Sequence, residues 1–224
     1  MRIVIAGGHG KIALLLGELA ARRGDEVVGL VRDPAQVPDL EAVGVRGVVR
    51  DLEGSQAADV AGDLAGADVV VFAAGAGPGS GAARKDLVDR AAAVLLADAA
   101  QRAGVGAYLL VSSIGVDSVR DGAVPDGVDE VFLAYLRAKL AAEEDLLARE
   151  RLRVCVLRPA GLTDDPGTGR VRLAAAVDAG RVPRADVAAV LLALADRLVA
   201  GPAPAPVLGL CSGEEPVADA VGGV

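Results

Sequence analysis

The chain has 224 residues, with apolar types at 53% and charged types at 24%, a balance that buries a sizeable core and excludes intrinsic disorder. A formal net charge of -8 and an aromatic content of 2% remove both the electrostatic and the stacking basis for binding nucleic acid, and one His with two Cys cannot close a tetrahedral metal site without carboxylates. Mean hydropathy is +0.44, but the longest uncharged stretch, Leu198 to Gly213, is broken by Pro202, Pro204 and Pro206, so no membrane span is expected.

The opening run, Met1 to Gly8, is too short for a signal peptide. Cys155 and Cys211 sit in apolar runs that suit small buried thiols, so a reducing cytoplasm is the expected setting. From the N-terminus, short Val/Ile/Leu runs alternate with Ala/Leu stretches of helical period. Strands are predicted at Arg2 to Ala6, Glu26 to Val31, Arg46 to Arg50, Asp68 to Ala73, Ala107 to Ser112, Leu152 to Leu157 and, more weakly, Pro206 to Cys211. Helices are predicted at Lys11 to Arg23, Ala35 to Val43, Ser55 to Leu64, Ala82 to Ala103, Val128 to Glu150 and Arg184 to Val199. Gly24, Gly44, Gly66 and Gly104 stand where helices should stop, because glycine adopts a positive φ at least cost.

Continuously apolar strands alternating with helices predict a single α/β domain over residues 1–224: a doubly wound, Rossmann-type fold with a mostly parallel sheet of six to seven strands, covered on both faces. The longer Gly-, Pro- and Asp-rich segments 113–127 and 160–183 follow strand ends and are expected as loops on the ligand side of the sheet. The second contains no aromatic residue and carries no readable substrate preference. Monomer and homodimer are both compatible with the Ala-rich helices, whose apolar faces the sheet also needs.

Gly7-Gly8-His9-Gly10-Lys11-Ile12-Ala13 directly follows the first strand and satisfies both G-x-G-x-x-A from Gly8 and G-x-x-G-x-x-A from Gly7. Missing Cβ atoms let the backbone approach a pyrophosphate, and the next helix offers free N–H groups and its positive dipole end. At the tip of the second strand the order Arg32-Asp33 favours NADP, since a guanidinium pairs with the 2′-phosphate; Asp33 accepting the ribose hydroxyls of NAD is the alternative. Asp51-Leu52 and Ala73-Ala74-Gly75, after the third and fourth strands, are placed to bracket the adenine.

Tyr135 and Lys139 stand one helical turn apart on one face, in a chain with two Tyr and three Lys, where such a pair rarely arises by chance. A phenol is a feeble acid–base group at neutral pH, and an ammonium one turn away, with an oxidised nicotinamide nearby, is expected to lower its pKa. Lys139 could also donate to the nicotinamide ribose. Ser112-Ser113 ends the fifth strand on the ligand side; strand alternation lets one serine face the cleft, and Ser113 is the candidate to hydrogen-bond the substrate oxygen.

These motifs, with Leu157-Arg158-Pro159-Ala160-Gly161-Leu162-Thr163-Asp164 and Pro183-Arg184-Ala185-Asp186-Val187-Ala188, resemble the atypical short-chain dehydrogenase/reductase superfamily. The likeness is to its single-domain NAD(P)H-binding branch, which includes NmrA-like and biliverdin reductase B-like proteins, and it covers nearly the whole chain. It implies that Pro159, Ala160, Gly161 and Leu162 border the nicotinamide. The chain contains no Asn, so the Asn-Ser-Tyr-Lys tetrad of typical members is incomplete. The expectation is an NADP(H)-dependent oxidoreductase, NAD being possible, that moves hydride between nicotinamide and a small carbonyl or alcohol. The alternatives are a flavin or quinone reductase and a non-catalytic NAD(P)-sensing protein.

Overall fold

The structure, a computed structural model, describes residues 1–75, 77 and 81–224. The strands and helices run β1 (Arg2–Ala6), α1 (Lys11–Arg23), β2 (Glu26–Val31), α2 (Val37–Ala42), β3 (Arg46–Val49), α3 (Ala57–Asp63), β4 (Val69–Phe72), α4 (Ala82–Lys85), a π-helical stretch (Asp86–Ala91), α5 (Ala92–Ala103), β5 (Ala107–Val111), α6 (Glu130–Leu147), β6 (Arg153–Pro159), β7 (Gly161–Thr163), β8 (Arg170–Ala174), β9 (Arg181–Pro183), α7 (Arg184–Ala200), β10 (Val207–Ser212), β11 (Glu215–Pro216) and α8 (Val217–Gly222).

The main sheet has the order β11-β8-β10-β6-β5-β4-β1-β2-β3. From β10 to β3 every pairing is parallel, and β8 joins β10 antiparallel. Chain direction across the sheet reverses at β1, because β2 and β3 extend to one side of it and β4 returns to the other. In such folds the crevice beyond the carboxyl ends of the two strands at this reversal is the ligand position. Alternate residues of β1 show why its sequence is apolar after Arg2. Ile3 and Ile5 enter the cluster holding Leu16 of α1 and Leu191 of α7, while Val4 and Ala6 enter the opposite cluster with Val60 of α3, Leu96 of α5 and Leu146 of α6.

The doubly wound, mostly parallel architecture agrees with the sequence reading, but the sheet is larger than the six or seven strands expected. The additional strands lie mainly in segment 160–183, read as a loop, which contains β7, β8 and β9, with β7 paired to β9 in a small separate sheet. β8 alternates exposed arginines with buried Val171 and Leu173, the pattern of an antiparallel strand near an edge and not of a strand covered on both faces. The three-residue β7 and β9 are too short to show a period. The predicted helix Ala82 to Ala103 is also divided by the π-helical stretch, and part of segment 113–127 forms two short 3-10 pieces over Val116–Gly122, separated by a kink at Arg120 and Asp121.

The glycine loop rests on a second glycine. A Cβ on Gly29, in the middle of β2, would stand 2.3 Å from Cδ2 of fully buried Leu40 and 3.4 Å from Cα of Gly8. Leu40 has no free volume into which to withdraw, so Gly29→Ala is expected to destabilise the fold by about 1–3 kcal/mol through overpacking, read as a lower midpoint in urea unfolding.

Candidate functional site

At the end of β1 the chain turns sharply over Gly7 to Gly10. The Gly8 N–H donates to the Leu30 carbonyl at 3.0 Å, and the Gly10 N–H donates to the Gly7 carbonyl at 2.8 Å. Gly7 has φ +77, and a Cβ there would lie 2.6 Å from Cα of Ala74, so only glycine lets the loop lie against the extension of β4. Gly10 caps α1 in extended backbone with no side chain over the helix end, and the first turn of α1 carries no acidic residue. Its unpaired N–H groups and dipole therefore favour an anion.

Beside this helix end opens a cleft of about 300 Å³. Of the predicted cofactor residues, Gly7, His9, Gly10, Arg32, Asp51, Leu52, Ala73, Ala74 and Gly75 line it. Gly8 lies beneath, where its own Cβ would meet Gly29 at 2.8 Å. Ile12 packs on the core, and Lys11 turns outward to Asp164 at 2.6 Å, a carboxylate that also holds Arg184 at 2.6 Å. The sequence reading did not include Gln36, Arg50, Glu53 and Arg84, which line the cleft too. They come from segments with no sequence signature, brought together by the crossing of chain ends above β1, β2, β3 and β4.

The charges here discriminate between the two nearby side chains at the tip of β2. Asp33 is spent locally, since its carboxylate accepts the Ala35 N–H at 2.9 Å and caps the turn Pro34–Gln36. Arg32 reaches the cleft and contacts Glu53 at 3.4 Å, while Arg84 holds the same carboxylate at 2.6 Å. Backbone donors, a wall of small residues and two guanidinium groups at one end fit the phosphates and adenosine of a dinucleotide.

The second part of the site lies beyond β5 and β6. The two serines point apart. Ser112 is buried and donates to Glu143, whose carboxylate is held by Arg158 at 2.5 Å; Arg158 in turn reaches Asp117 at 2.6 Å. Ser113 donates to the Ile114 carbonyl at 3.0 Å, and it lies close enough to the Tyr135 phenol to favour its ionisation. The Ile114 N–H meets the Pro159 carbonyl at 3.1 Å, which brings Pro159 to Leu162 beside Ser113. Those four residues do not line the 300 Å³ cleft. Ala160 is buried, Gly161 and Leu162 are exposed, and Thr163 Oγ1 is enclosed without a hydrogen-bond partner among the described residues.

Tyr135 and Lys139 share a face of α6, with the ammonium 5.9 Å from the ring centroid. The expected lowering of the phenol pKa does not occur in this structure. Burial first, and then the negative charge of Asp89, push Tyr135 up to about 12, against the opposing effect of Ser113. Beside burial, the contributor that sequence reading missed is Asp89, which is fully buried on the π-helical stretch and stands 3.2 Å from Lys139 Nζ, itself also a donor to the Val111 carbonyl at 3.0 Å. Lys139 is 3% exposed and committed on two sides. Among the described residues no group of His, Cys, Asp or Glu is arranged to hold a metal ion, and no helix is long and apolar enough to cross a membrane.

Residues 7–197 match the family model for NAD(P)H-binding proteins. The Bacillus subtilis protein YhfK, named an uncharacterized sugar epimerase, is 31% identical over 197 residues that span 88% of this chain and 88% of its own. Among solved structures, a Bacillus halodurans protein provisionally assigned as an NAD-dependent epimerase/dehydratase is 31% identical, with a TM-score of 0.84 over 100% of each chain. ChuY, an anaerobillin reductase of Escherichia coli O157:H7, is 26% identical, with a TM-score of 0.77 over 95% of this chain and 97% of its own. The chain belongs to the NAD(P)H-binding family, in the atypical short-chain dehydrogenase/reductase branch.

The opposite orientations of the two serines have a measurable consequence. Ser112→Ala removes a donor from a buried carboxylate and is expected to cost about 1–3 kcal/mol in urea unfolding, whereas Ser113→Ala should stay within about 0.5 kcal/mol of the parent.

Proposed function

We propose that this member of the NAD(P)H-binding family is an NADP(H)-dependent oxidoreductase acting on a small carbonyl or the corresponding alcohol. The observation that carries the reading is an arrangement: a helix end and cleft suited to an anion above β1 and β4, followed along the same sheet edge by Ser113 beside the Tyr135 phenol above β5. The amides of His9, Lys11 and Ile12 would hold the pyrophosphate, with Gly7, Gly8 and Gly10 shaping the turn that lets it approach. Asp51, Leu52 and Ala73 to Gly75 would flank the adenine, and Pro159 to Leu162 would border the nicotinamide. The bound nicotinamide supplies the hydride for the carbonyl carbon.

The protein's own part is proton delivery. The Tyr135 O–H bond breaks, its proton goes to the carbonyl oxygen, and the electron pair stays on the phenolate until solvent reprotonates it; the Ser113 hydroxyl donates to the same substrate oxygen and fixes its position. Lys139, locked between Asp89 and the Val111 carbonyl, holds the helix face that presents Tyr135. NADP is favoured over NAD because Arg32 and Arg84 converge at the cleft while Asp33 is engaged as a cap. The 3.4 Å contact between Arg32 and Glu53 is weak enough for a 2′-phosphate to replace.

A second reading, reduction of a flavin or quinone by direct hydride transfer, gains support from Tyr135 itself. A phenol pushed up to about 12 holds its proton firmly, and direct transfer to a flavin needs no protein acid. The name of ChuY supports reductase chemistry on this scaffold, and those of the two epimerase-like relatives support a reversible hydride step.

Tyr135→Phe separates the two readings. Carbonyl reduction should fall by about 10²–10⁴-fold while the thermal shift given by NADPH persists, and turnover that survives the substitution selects the flavin or quinone reading. Arg32→Ala should weaken NADPH by about tenfold to a hundredfold in calorimetry and leave NADH nearly unaffected. An equal loss for both nucleotides would overturn the assignment of Arg32 to the 2′-phosphate.

A further inference from the structure

Two ammonium groups flank the Tyr135 ring: Lys139 Nζ lies 5.9 Å and Lys85 Nζ 5.4 Å from its centroid. The Tyr-x-x-x-Lys spacing singles out the first, yet that charge is already answered by Asp89 at 3.2 Å. Opposite charges so close present a dipole to the phenol, and much of the attraction of the ammonium for a phenolate is cancelled by the repulsion of the carboxylate.

Lys85 is placed differently. It stands at the end of α4 and is 9% exposed, and its ammonium donates to the Gly77 carbonyl at 2.8 Å, a neutral acceptor. The chain has three lysines. Lys11 pairs with Asp164 and Lys139 with Asp89, and among the described residues no ion pair includes Lys85. An ammonium largely withdrawn from water without a carboxylate costs stability unless an anion forms beside it. The titratable group beneath it is the Tyr135 phenol. The other groups that act on this phenol are Asp89 from the π-helical stretch and Glu143 from α6, both of which favour its proton, and Ser113 after β5, which opposes them.

We propose that Lys85 is the cation that stabilises the Tyr135 phenolate once the proton has left, while the buried Lys139–Asp89 pair serves as its structural support. The inference rests on the oxidoreductase reading of Tyr135 and deepens it, since it supplies from α4 the charge that the sequence pattern expects one turn along α6. Lys85 is thus a positioning residue that works through the tyrosine.

The chain has two Tyr and no Trp, and the second tyrosine, Tyr108, is fully buried with its hydroxyl on the Ala93 carbonyl at 2.9 Å. The ionisation of Tyr135 can therefore be followed alone. Full-length protein carrying 3,5-difluorotyrosine, whose phenol is far more acidic than that of tyrosine, titrates under conditions that leave the fold intact, and ¹⁹F NMR with a Tyr108→Phe control assigns the signal. Lys85→Met is expected to raise the Tyr135 midpoint by about one pH unit or more, a tenfold loss in its acid dissociation constant. Lys85→Gln, which keeps a donor for the Gly77 carbonyl and removes only the charge, should give the same rise, and Lys85→Arg should restore the parent value. A midpoint unmoved in Lys85→Met or Lys85→Gln overturns the proposal. That failure is distinct from failure of the functional reading, which Tyr135→Phe turnover tests independently of any titration.

Discussion

The whole site depends on how closely two backbones meet at the ends of β1 and β4. Strand order reverses there, so the chain leaving β1 must turn away at once, and Gly7 does so in a left-handed conformation 2.6 Å, measured from a hypothetical Cβ, from Ala74. That contact sets the height of the glycine loop, and with it the direction in which the N-terminus of α1 points. Gly29 and Gly8 enforce the same closeness from the β2 side. Cleft, helix dipole and the exposed amides of the loop thus follow from one constraint, the absence of side-chain volume where three strands converge.

The second half of the site is set by a buried ionic pair of the opposite character. Asp89 and Lys139 are enclosed, at 0% and 4% side-chain exposure, and their separation joins the π-helical stretch to α6 beneath Tyr135. A pair so desolvated contributes little net stability, but removing either partner would strand a charge in the interior. Its effect is to hold geometry. Burial and the Asp89 carboxylate together keep Tyr135 up at about 12, and the pair leaves Lys139 no free charge with which to offset them.

How much of this could be read from the chain depends on the distance over which each feature is encoded. The parallel core was legible because β4 and β5, and β1 after its opening Arg2, are apolar at every position, a local signature of burial on both faces. The glycine turn and the opposite orientation of Ser112 and Ser113 were legible for similar reasons, since turn geometry and strand alternation act within a few residues. β8 was missed because an alternating Arg-Val-Arg-Leu segment rich in neighbouring glycines resembles a loop until a partner strand is known. Asp89, Glu53 and Arg84 were missed because their roles are set by partners 50, 21 and 31 positions away, at Lys139, Arg32 and Glu53. Nothing in their immediate sequence distinguishes them from surface charges on an acidic chain.

That acidity shapes how the site can work. With 31 Asp and Glu against 23 Lys and Arg, cations in and near the cleft are met by carboxylates: Arg32 and Arg84 in the cleft by Glu53, and Lys11 and Arg184 outside it by Asp164. Admission of phosphates is then an exchange of one anion for another. Its cost depends on exposure. Lys11 and Asp164 are 67% and 59% exposed, so water screens their bond and a phosphate can displace it with little penalty. The pair at Lys139 admits no such exchange, because separating it would leave a desolvated charge on each side. Burial therefore divides the ionic contacts into those that yield to a ligand, at the pyrophosphate and ribose end, and one that stays fixed, beneath the tyrosine.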